Sequence, residues 1–540
     1  MKKILSVSIL VLMAAGAAFA QNGNANPRAF EASMAHFRAN AKAYGLTDAD
    51  RELKQRNALG DSLGQTHVRF DQYFNGVKVF EGEAISHVEK NGRVTVTDAI
   101  RKNLKVDTTP TISDATAVSI AMSRMNAVGG YDNPSATLEI LPAGERSKST
   151  RLTWHVRAFV ENDASEPAQY DFFIDARTGE VAFSFDSLET AKPGSGGGST
   201  AVVPAVATGH TMWSGDVSID VNHPTSTSWT MQDTGRGVGT AASGLGNYTL
   251  NMANSTRGGS IVSSSTASFG DGNKTNTNAA TAAADAHYGL QKTWDYYKAV
   301  HGRNGIDGNG SKTYSRVHYS RNYENAFWSD SCFCMTYGDG ASTFYPLVSI
   351  DVAGHEMTHG VTSRTSNLTY SGESGGLNEA SSDIFGTAVE FYSNSGSDLP
   401  DYWIGERIFR SNWSTGSYVE TRALRYMDDP AKDGRSPACW SSGLGSLDVH
   451  YSSGPANHMF YLLAHGGTSK CNGASVNAVG IDKAAKIWFR ALTVKMTSST
   501  NYAGARAAAL AAASDLVTAG TITSADRDAV AAAFSAINVN

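Results

Sequence analysis

Two histidines four residues apart flank a glutamate in the run His355-Glu356-Met357-Thr358-His359. On a helix this spacing puts both imidazoles on one face of adjacent turns, where together they can grip one metal ion. Twenty residues beyond His359 comes Glu379, in the run Gly375-Gly376-Leu377-Asn378-Glu379-Ala380-Ser381-Ser382-Asp383. Its glycines are expected to precede a helix on which Glu379 and Asp383 share a face. A carboxylate from this second helix completes a tripod of two histidines and Glu379, leaving a fourth position open as a catalytic zinc requires. Asp383 is then spaced to accept the other ring N–H of a ligating histidine and so fix its tautomer.

The elements that must hold these groups fall into a clear order. The chain has 540 residues, 45 Lys+Arg against 51 Asp+Glu, a net charge of −6 and 4 Cys. That length needs more than one core. The absence of a dense basic run gives no electrostatic footprint for nucleic acid, and four cysteines are too few for a disulfide scaffold. Residues 1–20 read as an export signal: Lys2 and Lys3, an apolar run from Ile4 to Ala17, and Ala18-Phe19-Ala20 as a cleavage site. The expectation is a secreted, extracellular protein with no membrane anchor and no nucleic-acid partner.

Residues 21–100 and 101–190 each read as an α+β module. The first has a hairpin signal at Asn75-Gly76 between alternating runs; the second has a helix from Ala115 to Met125 and strands at Thr153–Val160, Tyr170–Ile174 and Val181–Phe185. The Gly/Ser-rich tract within 191–204 reads as a flexible, protease-accessible linker and maturation region. Residues 205–350 are expected to form a strand-rich lobe with a helix over Asn278–His301. Residues 351–540 carry helical periodicity at Asp351–Arg364, Gly376–Tyr392, Pro455–Ala464, Asp482–Lys495, Tyr502–Val517 and Ser524–Ile537. A ligand site is expected between the two lobes.

At these motifs the chain closely resembles the thermolysin family of secreted zinc metalloendopeptidases, in the branch of vibriolysin and pseudolysin. Asp285-Ala286-His287-Tyr288, Asn325-Ala326-Phe327-Trp328, Tyr337-Gly338-Asp339-Gly340, Leu424-Arg425-Tyr426-Met427 and Asp448-Val449-His450 match its signatures in order. Thr66–Val88 and Tyr170–Val181 resemble its two propeptide modules. The resemblance implies an α+β precursor: a two-module propeptide before a two-lobed catalytic domain, β-rich then helical.

It also implies roles. His355, His359 and Glu379 hold one catalytic zinc, Glu356 is the general base, and zinc, His450 and Tyr370 stabilise the oxyanion, with Asp448 orienting His450. Asn325 and the Ala326 carbonyl align the substrate backbone, and Arg425 holds the carbonyl on the leaving-group side. Phe344, Leu347, Val352, Ile404 and Leu424 line an apolar pocket that favours bulky apolar residues on the amine side of the cut. Asp351, Glu390, Asp401, Glu406 and the Trp403 carbonyl surround at least one structural calcium. The partners are protein and peptide substrates, and the propeptide acting as intramolecular chaperone and inhibitor.

One stretch departs from the family pattern. Ser329–Thr336 is about two residues longer than expected, on the edge that should pair with extended substrate, and it contains Cys332 and Cys334. Cys439 and Cys471 could bridge around the loop carrying His450, leaving Cys332 and Cys334 to each other or free. An exopeptidase would need a group that captures a free terminus, and none is recognisable. A non-catalytic calcium-binding protein would leave Glu356, His450 and Arg425 free to vary, and all three are present.

Overall fold

The computed structural model describes residues 26–125, 131–162, 165–188, 201–238, 244–413 and 417–540. The export signal at 1–20 and most of the linker, 189–200, lie outside the described residues.

The N-terminal part is built on one eight-stranded sheet. Helix α1 (Pro27–Ala39) leads into β1 (Leu53–Gly60), β2 (Thr66–Phe74), β3 (Val77–Val88) and β4 (Val94–Asp98); α2 (Asp114–Arg124) is followed by β5 (Tyr131–Leu141), β6 (Arg151–Asn162), β7 (Ser165–Asp175) and β8 (Val181–Asp186). Asn75 and Gly76 turn β2 into β3 with φ of 48° and 83°, the left-handed pair that a two-residue hairpin demands. The strand order is β1-β2-β3-β5-β6-β7-β8, with β4 on β3. The two halves share backbone hydrogen bonds through the parallel pairing of β3 with β5, while each keeps its own apolar cluster beneath its helix.

Downstream, β9 (Pro204–His210), β10 (Asp216–Thr225), β11 (Ser228–Thr230), β14 (Ser263–Ser264) and β15 (Ser268–Gly270) form one five-stranded sheet. A second runs β13-β12-β16-β18-β17, from β12 (Tyr248–Ser255), β13 (Ser260–Ile261), β16 (Tyr314–Tyr319), β17 (Ala326–Ser329) and β18 (Cys334–Tyr337), so β17 is its edge. Helix α3 (Ala280–His301) crosses between these strands and the helices that follow. Those helices are α4 (Ile350–Ser363), α5 (Gly372–Ser393), α6 (Gly454–His465), α7 (Ile481–Arg490), α8 (Tyr502–Thr518) and α9 (Ser524–Ala536). One core runs unbroken from Ala207 to Val539 through both lobes.

The α4–α5 crossing positions the chemistry. A Cβ on Gly354 would lie 2.9 Å from the Gly386 Cα, and one on Gly386 would lie 2.5 Å from the Asp351 carbonyl oxygen, so only two glycines permit this approach. The start of α5 differs from expectation. The helix begins at Gly372, and Gly375 and Gly376 lie inside it rather than before it. Tertiary packing explains this: the short helix Val449–Ser452 presses on that surface, and a Cβ on Gly376 would sit 2.5 Å from Ser452 Oγ. The same contact delivers His450 to the site.

Candidate metal centre and substrate cleft

His355 and His359, one turn apart on α4, point their Nε2 atoms at each other across 3.1 Å. Glu379 of α5 approaches both, Oε2 at 3.6 Å from His355 Nε2 and Oε1 at 3.4 Å from His359 Nε2. All three are buried, and Glu379 Oε2 has no hydrogen-bond partner. Two imidazole nitrogens and an orphaned carboxylate oxygen converging on one point suit a tetrahedral, nitrogen- and oxygen-liganded zinc.

Each ring is fixed from behind. His355 Nδ1 lies 2.8 Å from Asp383 Oδ1, as the spacing predicted, and His359 Nδ1 lies 2.8 Å from Asn378 Oδ1. Asn378 was not singled out by sequence reasoning, although it sits beside Glu379. Its Nδ2 donates to the Leu368 carbonyl at 3.0 Å, which orients the amide so that its oxygen faces the histidine. Asp383 is held in turn by Arg425, whose Nε and Nη2 each donate at 2.6 Å, and by Asn457 Nδ2 at 2.7 Å.

Burial opposes the charge on Glu379, but His450, His355, His359 and Arg425 outweigh it and hold its carboxyl down to about 2. Glu356, also buried, has less compensation, and desolvation pushes it up to about 7. Two carboxylates in one site are thus tuned apart, one permanently charged and one able to take and release a proton near neutrality.

His450 stands half exposed, 48% for its side chain, with Nε2 at 3.7 Å from Glu379 Oε1 and Nδ1 at 2.7 Å from Asp448 Oδ1. The Tyr370 hydroxyl donates to Glu379 Oε1 and lies 3.5 Å from His450 Nε2. A cleft of about 570 Å³ runs past these groups, and Asn325, Ala326, Leu347, Val352, Ile404, Leu424 and Arg425 all line it. Phe344 does not. It stacks edge-to-face on Phe409 at 4.8 Å, behind Leu347 and Leu424, because its loop is anchored by Glu324 Oε1, which accepts from the Ala341 and Thr343 amides.

Across the same cleft sit Pro167 and Asp186 of the N-terminal sheet and Leu188 just beyond its last strand. That sheet is pinned elsewhere by buried polar contacts. Arg69 donates to the Thr493 and Met496 carbonyls, Glu83 accepts from Ser498, Asp61 pairs with Arg490 at 2.6 Å, and Arg146 reaches Ser371 and Ser374 beside Tyr370.

The acidic residues gather at the far side of the α4–α5 crossing. Oxygens of Glu390, Asp398 and Glu406 lie within 4.8 Å of one another, and each of the three residues has an oxygen with no hydrogen-bond partner. Burial, with Asp351 and Glu420 nearby, pushes Asp398 up to about 7, and burial with Glu420 beside it pushes Asp401 up to about 8. Asp351 adds its charge to the group but is partly engaged by the Gly405 amide, and the Trp403 amide donates to Asp401. Asp398 was missed in the sequence, where one acid in a Ser/Gly-rich loop gives no periodic signal. Cys332 is bridged to Cys334 and Cys439 to Cys471.

Comparison with known proteins agrees with this geometry. Residues 206–363 match the model described as "Thermolysin metallopeptidase, catalytic domain", residues 366–539 its "alpha-helical domain", and residues 51–96 the "Fungalysin/Thermolysin Propeptide Motif". The chain is 42% identical over 525 residues to a "Transglutaminase-activating metalloprotease" of Streptomyces mobaraensis, covering 92% of this chain and 62% of that one, so it spans under two thirds of that relative. It is 36% identical over 494 residues to a "Thermolysin" of Alicyclobacillus acidocaldarius subsp. acidocaldarius, covering 89% of this chain and 84% of the relative. A solved precursor of protealysin from Serratia proteamaculans aligns over 57% of this chain and 90% of its own, at 27% identity and a TM-score of 0.43.

Proposed function

Because this chain belongs to the thermolysin family of metallopeptidases, we propose that it is a secreted neutral endopeptidase, made as a self-cleaving precursor, that cuts internal peptide bonds on the amino side of bulky apolar residues. The observation that carries this reading is one cleft in which a buried Glu356 stands between a His/His/Glu tripod and an apolar pocket, with the N-terminal sheet lying across it.

His355, His359 and Glu379 would hold zinc, which when bound supplies a Lewis acid that polarises a carbonyl and acidifies water towards a pKa of ~7. Glu356 takes the proton from the attacking water and returns it to the leaving amine, a double task suited to a carboxyl raised to about 7. Asp448 favours the protonated form of His450, and the His450 Nε2–H and the Tyr370 hydroxyl then donate to the oxygen that gains charge. Asn325 and the Ala326 carbonyl align the substrate backbone. Arg425, its fork held by Asp383, meets the carbonyl on the leaving-group side. Leu347, Val352, Ile404 and Leu424 receive the side chain on the amine side, with Phe344 as backing.

Glu390, Asp398 and Glu406, with Asp351, Asp401 and the Trp403 carbonyl, would bind calcium; three buried carboxylates with orphaned oxygens suit a hard cation. Residues 21–190 are the propeptide, 191–204 the maturation region, and 205–350 and 351–540 the two catalytic lobes. Export is supported by the charged and apolar segments of residues 1–20. The test is an internally quenched peptide blocked at both ends, with an apolar residue after the scissile bond. Chelator-sensitive cleavage is expected; a protein that hydrolyses only substrates with a free terminus would be an exopeptidase and the proposal would fall.

A further inference from the structure

The hairpin that joins β17 to β18 carries its own disulfide at the tip. The register between β17 and β18 runs from Ala326↔Tyr337 to Ser329↔Cys334, which leaves Asp330–Phe333 as the hairpin tip. The Cys332–Cys334 bridge closes around a single residue, Phe333. Phe333 has φ of 56°, left-handed backbone. Most other non-glycine residues there are asparagines, whose short polar side chains tolerate it, whereas a phenylalanine gains nothing locally from it.

The side chain shows what the conformation secures. The Phe333 ring meets Trp328 edge-on at 5.4 Å and lies beneath the Arg364 guanidinium at 4.6 Å. Trp328 is fully buried, and its Nε1 donates to Asp330 Oδ1 at 2.7 Å. Asp330 also accepts from Arg364 and from Ser363 Oγ at the end of α4, the helix that carries His355, Glu356 and His359. The tip therefore bolts β17 to that helix. On the near side Ala326 packs with Leu347 and Leu424 of the amine-side pocket, so Phe327, Trp328 and Ser329 run towards the acyl side of the cut.

We propose that the Cys332-Phe333-Cys334 tip is a clamp on the substrate-pairing edge, the bridge holding Phe333 left-handed as a wedge against Trp328 and beneath Arg364, and that it governs how tightly residues on the acyl side of the scissile bond are bound. This rests on the reading that β17 takes an extended substrate as an added strand. The tip touches neither the tripod nor Glu356, so it acts through binding. Phe333 and the two cysteines are positioning residues.

The experiment compares matured wild type, Cys332→Ser/Cys334→Ser and Phe333→Gly on doubly blocked peptides with one or four residues on the acyl side and a constant amine side. Wild type is expected to gain kcat/KM with acyl-side length. In the double variant that gain should shrink about tenfold, through KM, with zinc content and kcat on the short peptide unchanged. Should the double variant fail to accumulate, Phe333→Gly keeps the bridge, removes the wedge and is expected to show the same loss. Unchanged length dependence in Phe333→Gly, or equal losses on short and long peptides, overturns the clamp. A wild type that cleaves the short blocked peptide but gains nothing from length overturns the clamp alone, whereas one that cleaves neither overturns the endopeptidase reading.

Discussion

At the scale of single residues, the proposed mechanism separates groups that hold a metal from groups that move protons, and substitution should separate them too. Glu356→Gln removes the group that takes water's proton but leaves both imidazoles and Glu379 in place. We expect turnover to fall by at least ~10²-fold with zinc retained one to one, read by metal analysis beside peptide kinetics. Glu379→Ala should instead lose the metal, since two histidines lack the third protein ligand. Asn378→Ala is subtler. It frees the His359 ring without touching a ligand, and zinc affinity should drop about 10–100-fold in competition with a chelator. An unaltered affinity would mean that burial alone orients His359.

At the scale of elements, the α4–α5 crossing carries the tripod on one side and the acidic group on the other. Asp351 belongs to the same helix as His355, so on the proposed calcium assignment the repulsion released by calcium removal would act directly on the helix that carries the two histidines. The enzyme's inactivation half-life should shorten several-fold in a calcium-selective chelator, with zinc still bound at early times. An unchanged half-life would count against the calcium assignment. The contact between helices is equally exacting: Gly386→Val forces a side chain into the Asp351 carbonyl and should cost about 1–3 kcal/mol, seen as a melting midpoint lowered by several degrees.

At the scale of the whole molecule, the N-terminal sheet docks through buried polar groups, and two histidines lie buried near Arg490 and Lys495 at that contact. His67 and His87 face each other across β2 and β3 at 2.9 Å, with Asp61 on His67. Burial, reinforced by Lys495, Arg69 and Arg490, holds His87 down to about 2, and burial also lowers His67 despite Asp61. In the unfolded chain both titrate near ~6.5. A depressed folded value means that stability is complete above ~6.5 and is lost as the pH falls below it. His155, raised because Asp171 and Glu139 outweigh its burial, works in the opposite sense, stabilising at low pH and losing that contribution as the pH rises. The contribution of the pair is isolated by comparing an uncut Glu356→Gln precursor with the same precursor carrying His87→Gln. Melting midpoints between pH 8 and 5 should fall more steeply in the first. Parallel curves would show that His87 is not the sensor.

The arrangement of the two parts makes a further demand. If, as proposed, the cut that frees the catalytic lobes is made by the site that the N-terminal sheet lines, the Glu356→Gln precursor, produced in a host lacking other proteases, should remain uncut. Normal processing of that variant would end self-maturation. Residues 205–540 produced alone should fold in much lower yield, because the groups that Arg69 and Glu83 satisfy around Thr493, Met496 and Ser498 then lack those partners during folding.

The sequence by itself determined that His355, His359 and Glu379 come together with Asp383 behind them, and that strands and helices alternate before residue 190, because these are local: the i,i+4 spacing of a helix and the period of a strand are written in neighbouring residues. The hairpin at Asn75-Gly76 and every long helix after residue 350 were legible for the same reason. Only the tertiary structure decided the rest. Asn378, Asn457 and Asp398 act through partners distant in sequence or in an irregular loop, so no period marks them. Gly375 and Gly376 looked like punctuation before a helix, but packing of Val449–Ser452 makes them the smooth surface of its first turns. Phe344 had the right chemistry for the pocket wall, yet its loop, tied to Glu324, sets it one layer back. The pairing of four cysteines, open in the sequence, follows from which of them the folded chain brings together. Local physics writes the parts that act through their own helix or strand; long-range packing, which no spacing records, assigns the parts that act across elements.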